Sequence, residues 1–291
     1  MDEKQLLRGN ILSHPSLATS HDYPAFLRAA ACRVVAGSML LSGVFTALCA
    51  ITTDHDNSRA SCGIATAVSL VAFYHYLKVV AVRDQTGSRV VLGKPGEDEP
   101  SVDKGLVLGW QDMLVDSIRY SDWLVTLPGL VIELHLLAPE PPWFGVPWAA
   151  FLVALMVVLG AFTRFGTDEL VPVRTDLKRT MADGFARLSG LLSFVLAFVS
   201  LVLVLYNLLA NVHAERVDNA WIMAFSLPWI AYGVVAIVAM VVRQFYPAGY
   251  PETLSLFKDV SFGALDVWSK AVFGFFVGAK SLGLTDPLFK F

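Results

Sequence analysis

Apolar residues fall into seven long runs, divided by stretches rich in proline, glycine and charge. The first covers roughly 29–52 and stops before TTDHDNSR. The second covers about 60–82. The third, about 106–136, is interrupted by Arg119, Asp122 and Glu133 and closes at APEPPW. The fourth is about 145–166 and the fifth about 184–210. The sixth, about 219–245, ends before YPAGYP, and the seventh is about 253–283. Crossing a hydrocarbon core about 30 Å thick takes about 20 apolar residues in a helix, so each run is long enough. Only helices and closed barrels satisfy the backbone in lipid. The short alternating segments of a barrel are absent. The pattern therefore predicts an all-α membrane protein, a bundle of seven transmembrane helices. A polar tail, 1–28, precedes the bundle at 29–283, and a short tail, 284–291, follows it. The longest connection, about 83–105, includes GKPGEDEPSVDKG and has room for a short hairpin. No second domain and no internal repeat is visible.

Composition agrees with this pattern. Of 291 residues, 55% are hydrophobic and only 16% charged, with a mean hydropathy of +0.58; a soluble domain carries more charge. With a net charge of −3, nothing points to nucleic acid. Cys32, Cys49 and Cys62 show neither metal-ligand spacing nor a disulfide framework. The first 26 residues lack an apolar core behind a basic start, so they do not read as a secretory signal.

The charges inside the runs change the picture. In LDVWSKAVFGFFVGA, residues 265–279, Lys270 lies 17 residues into the seventh run and 13 from its end. At about 1.5 Å per residue it sits near mid-bilayer. An unpaired lysine there costs at least about 3 kcal/mol. Asp266, four residues earlier, shares its face. A buried structural ion pair is the plain reading. The third run favours a functional one. Within RYSDWLVTLPGLVIELHLL, residues 119–137, Arg119, Asp122, Thr126 and Glu133 follow steps of 3, 4 and 7 and form one stripe. Asp122 and Glu133 stand about 16 Å apart along the axis. Such a ladder of ionisable groups is what a proton carrier needs.

These residues carry a resemblance to the microbial, or type 1, rhodopsins, seven-helix proteins that hold retinal on a lysine of the last helix. RYSDWLVTLP, from Arg119 to Pro128, and LDVWSK, from Leu265 to Lys270, are its two motifs, each in the matching helix. AFYHYLK, around His75 and Tyr76, is similar to the proteorhodopsin pattern. The resemblance implies all-trans retinal bound covalently as a Schiff base on Lys270, with Asp122 and Asp266 as counterions and Asp122 as primary proton acceptor. It implies that Thr126 hydrogen-bonds Asp122, that Arg119 neutralises the two-carboxylate site from its other side, and that Glu133 is the internal proton donor. Asp122, Thr126 and Glu133 resemble the proteorhodopsin form of the pump signature. His75 reads either as a core histidine with a backbone partner or, on the resemblance, as a partner of Asp122. Tyr76, Trp123, Pro128 and Leu130 are implied to line the retinal, Leu130 resembling the green-absorbing variant.

The sixth run departs from the family, which shows Trp, then Tyr-Pro, then a further aromatic. The nearest match is AFSLPWIAY, residues 224–232, registered on Pro228. That register puts Ala224 at the tryptophan position and makes Phe225, Pro228, Trp229 and Tyr232 the pocket candidates. It also leaves an unusually long separation from Pro228 to Lys270. Basic residues divide unevenly. With Arg119 and Lys270 placed in the membrane, sixteen lie on the side of the N-terminal tail and four, Arg59, Arg216, Lys280 and Lys290, on the other. The positive-inside bias then puts the N-terminus in the cytoplasm, whereas most microbial rhodopsins have it outside. The function implied is a light-driven proton pump, a photoreceptor and transporter rather than an enzyme, working with the lipid bilayer and protons and without a metal. A light-gated channel or sensory rhodopsin with the same chromophore is the alternative. A homo-oligomer is compatible with either. Asp112, Asp116, Glu252 and Asp259 are candidates for proton release, with surface solvation as their plain reading.

Overall fold

The computed structural model describes residues 23–91, 104–136, 145–166, 176–213, 219–245 and 252–284. Among them are seven helices: α1 Tyr23–Thr52, α2 Asp56–Val91, α3 Lys104–Leu136, α4 Gly145–Gly166, α5 Asp176–His213, α6 Asn219–Phe245 and α7. The last is made of Glu252–Asp266, a π-helical turn Val267–Val272, and Phe273–Ser281. No strand occurs among the described residues. Residues 83–91, expected to begin the connection, continue α2 instead. The GKPGEDEPSVDKG segment lies almost wholly outside the described residues, and both tails lie largely outside them.

The surface is apolar and the interior carries charge. Leu41, Phe162, Leu188 and Tyr206 are each more than 60% exposed, while Arg119, Asp122, Glu133 and Lys270 are at most 3% exposed. Water would penalise both halves of that arrangement, and lipid favours the first. Five helices are long and apolar enough to cross a membrane by composition alone; the described part of α6 adds the shorter apolar stretch Ser226–Ala239. The third helix is missing from that set because its interior stripe is charged.

Each helix packs on its neighbours in sequence, and α7 returns to α1 and α2 to close a ring. The α5–α6 contact is sparse. Small residues bring backbones close where lipid supplies little drive for association. A Cβ on Gly129 of α3 would come within 2.8 Å of Val68 on α2, and Gly274 of α7 lies directly against Ser42 of α1. That second approach supports the π turn. A π turn disturbs the regular ladder of carbonyl acceptors, and Ser42 Oγ donates to Ala271 O at 3.2 Å, backed by Ser69 Oγ at 3.2 Å. The wider turn also buries three consecutive residues, Ser269, Lys270 and Ala271.

Candidate functional site

Four helices, α2, α3, α6 and α7, converge on one buried cluster. Lys270 Nζ is paired with the Asp122 carboxylate of α3 and lies 3.0 Å from Asp266 Oδ1, one turn back on α7. All three residues are at most 1% exposed. The two carboxylates are held differently. Asp266 accepts from Tyr76 Oη of α2 at 2.5 Å, from Tyr232 Oη of α6 at 2.5 Å and from Trp123 Nε1 at 3.2 Å, besides Lys270. Asp122 is bonded to Lys270 through Oδ2, and its Oδ1 accepts no hydrogen bond among the described residues.

Two neighbours of Asp122 differ from the expected pattern. His75 Nδ1 lies 3.8 Å from Asp122 Oδ1, too far for a hydrogen bond, because it donates to Val71 O at 2.8 Å. Its backbone partner and its place beside Asp122 are therefore both present, without a bond between the rings and the carboxylate. Thr126 Oγ1 donates to the main-chain oxygen of Asp122 at 2.9 Å, the back-bond a helical threonine makes to residue i−4, and not to the carboxylate.

Behind Trp123 and Tyr232 lies an apolar cavity of about 260 Å³ between α3, α4, α5, α6 and α7. Its walls include Trp123, Met156, Leu201, Trp229, Tyr232 and Phe262. The Trp123 ring meets Tyr232 and Phe262 edge-on at centroid distances of 5.0 and 5.3 Å. Tyr76 touches the site through Asp266 and does not line the cavity. Pro128, Leu130 and Pro228, expected beside the chromophore, do not line it either. Leu130 packs in the core, Pro128 sits partly buried inside α3, and Pro228 is buried inside α6. The Phe225 side chain lies outside the described residues. Of the candidates in the sixth run, Trp229 and Tyr232 line the cavity.

Arg119 does not reach Asp122 or Asp266. Its Nη2 lies 2.7 Å from Asp259 Oδ1 and its Nη1 3.7 Å from Asp116. Arg83 Nη2 bridges Asp112 at 2.7 Å and Asp259 at 2.8 Å. Ser255 donates to Asp112, and Arg164 and Lys258 each lie 2.6 Å from Asp116 Oδ2. Asp112, Asp116 and Asp259 are at most 4% exposed, which overturns their surface-solvation reading; the Glu252 side chain lies outside the described residues. Sequence reading missed Arg83, Arg164 and Lys258 as members of this network, having counted them with the loops. Moving these three into the bundle leaves thirteen basic residues against four, so the charge bias persists. A signal was available, since the Lys258–Asp259 pair lies inside an apolar run.

Glu133 stands apart, on the same stripe of α3 toward its C-terminal end. It is 0% exposed, and neither carboxyl oxygen has a hydrogen-bond partner among the described residues. His135, equally buried and not singled out from the sequence, bonds Val131 O through Nδ1 and leaves Nε2 without a partner. No group of His, Cys, Asp and Glu among the described residues is arranged to hold a metal ion.

Comparison with curated protein sequences gives no match. Solved structures match closely in fold. Exiguobacterium sibiricum rhodopsin superposes with a TM-score of 0.63 at 18% identity, covering 89% of this chain and 96% of that one. Xanthorhodopsin, described as a light-driven ion pump with dual chromophore, gives 0.62 at 20% identity, covering 91% and 96%. Blue light-absorbing proteorhodopsin from Med12 gives 0.58 at 17% identity, covering 88% and 98%. At these identities the likeness establishes the seven-helix fold alone. The family described as bacteriorhodopsin-like protein matches residues 29–283. The chain is therefore a multi-pass integral membrane protein and belongs to the bacteriorhodopsin-like family, the microbial rhodopsins, whose members bind retinal.

Proposed function

We propose that this chain is a light-driven proton pump using retinal held through Lys270. The observation that carries the reading is the unequal condition of the two carboxylates beside that lysine. Asp266 is saturated by four donors, whereas Asp122 has one oxygen bonded to Lys270 and one without a hydrogen bond among the described residues.

The residues fit the cofactor: a buried primary amine, two carboxylates to balance a cation on its nitrogen, and an apolar aromatic cavity reached past Trp123 and Tyr232, whose hydroxyl touches Asp266. Retinal, when bound through the Lys270 nitrogen, supplies the absorption of light and a light-driven change of shape that disturbs this cluster. The chain's residues do the rest. Lys270 Nζ holds a proton between the Asp122 and Asp266 carboxylates, whose opposite charges offset the cost that burial puts on a cation. Asp122 takes that proton, because its free oxygen can carry one without breaking a bond to another donor. Asp266 remains charged, because Tyr76, Tyr232 and Trp123 would each lose an ionised acceptor if it were protonated. Glu133 has neither a cation nor a donor beside it among the described residues, and a buried carboxyl so placed is cheapest as the neutral acid. It is the proton source that restores Lys270 Nζ from the other side. Net movement runs from the Glu133 end of α3 toward its Arg119 end.

Illumination of liposomes of known protein orientation tests this reading. A sustained pH change abolished by a protonophore supports the pump, and its sign gives the direction across the membrane. A passive current that reverses with voltage would instead assign a light-gated channel. Absence of transport with an intact visible band would assign a sensor.

A further inference from the structure

The cavity behind Trp123 and Tyr232 does not stop at those rings. It continues to a charged end lined by Asp116 and Arg119 of α3, Thr163 and Arg164 of α4, Ala239 of α6 and Lys258 of α7. Asp116 stands six residues before Asp122, Lys258 eight before Asp266, and Ala239 seven beyond Tyr232 on antiparallel α6. These three therefore share a level about 9–12 Å from the Lys270 cluster, at the Arg119 end of α3.

Charge and hydrogen bonding are both out of balance there. Three cations, Arg119, Arg164 and Lys258, line this end with one carboxylate, Asp116. Asp116 Oδ2 already meets Arg164 and Lys258 at 2.6 Å each, and Arg119 Nη1 comes no nearer to Asp116 than 3.7 Å, too far for a hydrogen bond. Asp259 takes Arg119 Nη2 but is shared with Arg83. Arg119 is 3% exposed, and its Nε and Nη1 have no hydrogen-bond partner among the described residues. A guanidinium only donates, so these two nitrogens require an acceptor. Over the whole network four cations stand against three carboxylates. The Lys270 cluster has the opposite excess, one carboxylate more than it has cations, but Tyr76, Tyr232 and Trp123 meet it on the spot. Charge can be balanced across such a distance, whereas a hydrogen bond cannot. A neutral water would accept from Arg119 and leave the excess charge; an anion answers both needs.

We propose that the charged end of this cavity binds a small inorganic anion of the halide class, accepted by Arg119 and surrounded by Arg164 and Lys258. The ion is a resident counterion of the buried network and not a transported species, since Lys270 already has two carboxylates of its own. The same donors would suit the acid head of a lipid chain. The compact ion is the occupant assigned, because a second carboxylate would set its two anionic oxygens against Asp116. The site does not depend on the pump reading.

The test therefore needs neither retinal nor light. The full chain in neutral detergent is heated in sodium gluconate, with chloride replacing the bulky gluconate at constant ionic strength. The unfolding midpoint should rise by at least about 3 °C and level off as chloride increases. An unchanged midpoint would mean that water alone serves Arg119 and would overturn the proposal. A rise with a long-chain carboxylate and none with chloride would give the site to lipid and overturn it equally. Ala239→Glu then supplies a tethered carboxylate at the same level. It should raise the midpoint in gluconate and abolish the response to chloride; a full chloride response in a folded Ala239→Glu chain would place the ion elsewhere and overturn this site.

Discussion

At the Arg119 end of α3, three carboxylates and four cations interlock: Asp112, Asp116 and Asp259 with Arg83, Arg119, Arg164 and Lys258. At the other end Glu133 stands without a partner among the described residues. Both regions are buried, and burial makes opposite demands on them. A charge taken out of water must be met by an opposite charge and by hydrogen bonds. Where these are supplied, protonating one member leaves its partners uncompensated, so the network favours fixed charge. A carboxyl that lacks them avoids the cost by carrying a proton. One end of the helix is built to stay charged, and the other, on the function proposed above, to exchange a proton. The Lys270 cluster lies between and repeats the contrast at short range, with Asp266 saturated and Asp122 half open.

Substitutions can break that comparison. Lys270→Met should have the largest effect, complete loss of the visible band on adding retinal; a band that survives places the chromophore elsewhere. Next, Asp259→Asn leaves Arg83 and Arg119 sharing a neutral amide. Breaking a buried pair in this way costs about 3–5 kcal/mol, read as earlier thermal loss of the band. Glu133→Gln should leave that thermal stability nearly unchanged. An equal loss from both substitutions would erase the distinction between the two ends. Asp122→Asn should lower light-driven proton transport by about 100-fold or more with the band retained. Glu133→Gln should slow photocycle recovery by about tenfold or more. The smallest effect is expected from Tyr232→Phe, which removes one of four donors to Asp266 and should cost about 1–2 kcal/mol of stability. A loss as large as that of Asp259→Asn would show that Asp266 depends on this one hydroxyl.

The seven helices could be read from the sequence because lipid imposes a length and an apolarity on each span. Residues 83–91 were not, since a polar sequence that continues a helix past the bilayer looks like a loop. The cluster at Lys270 was visible because a lysine and an aspartate four residues apart in an apolar run have few explanations. The partners of Arg119 were hidden. Asp259 lies 140 residues away on another helix, and its distance from Arg119 depends on how α3 and α7 pack. Pro228 offered the strong local signal in α6, yet it does not line the cavity. What places Tyr232 is its hydroxyl on Asp266, a contact between helices. His135 illustrates the same limit: its orphaned Nε2 is a fact about surroundings that no spacing along α3 encodes.

The π turn at 267–272 has a consequence for tolerance to change. A widened turn accommodates one residue more than an α-helical path would, so everything after it is rotated by about 100° relative to an uninterrupted helix. Gly274 meets Ser42, and Ser281 meets Cys62, only in that rotated frame. Removing a single residue within the turn would let α7 relax to regular winding, and its outer third would present the wrong side to α1 and α2. Of all the apolar stretches in this bundle, this is where the count of residues, more than their chemistry, is held fixed.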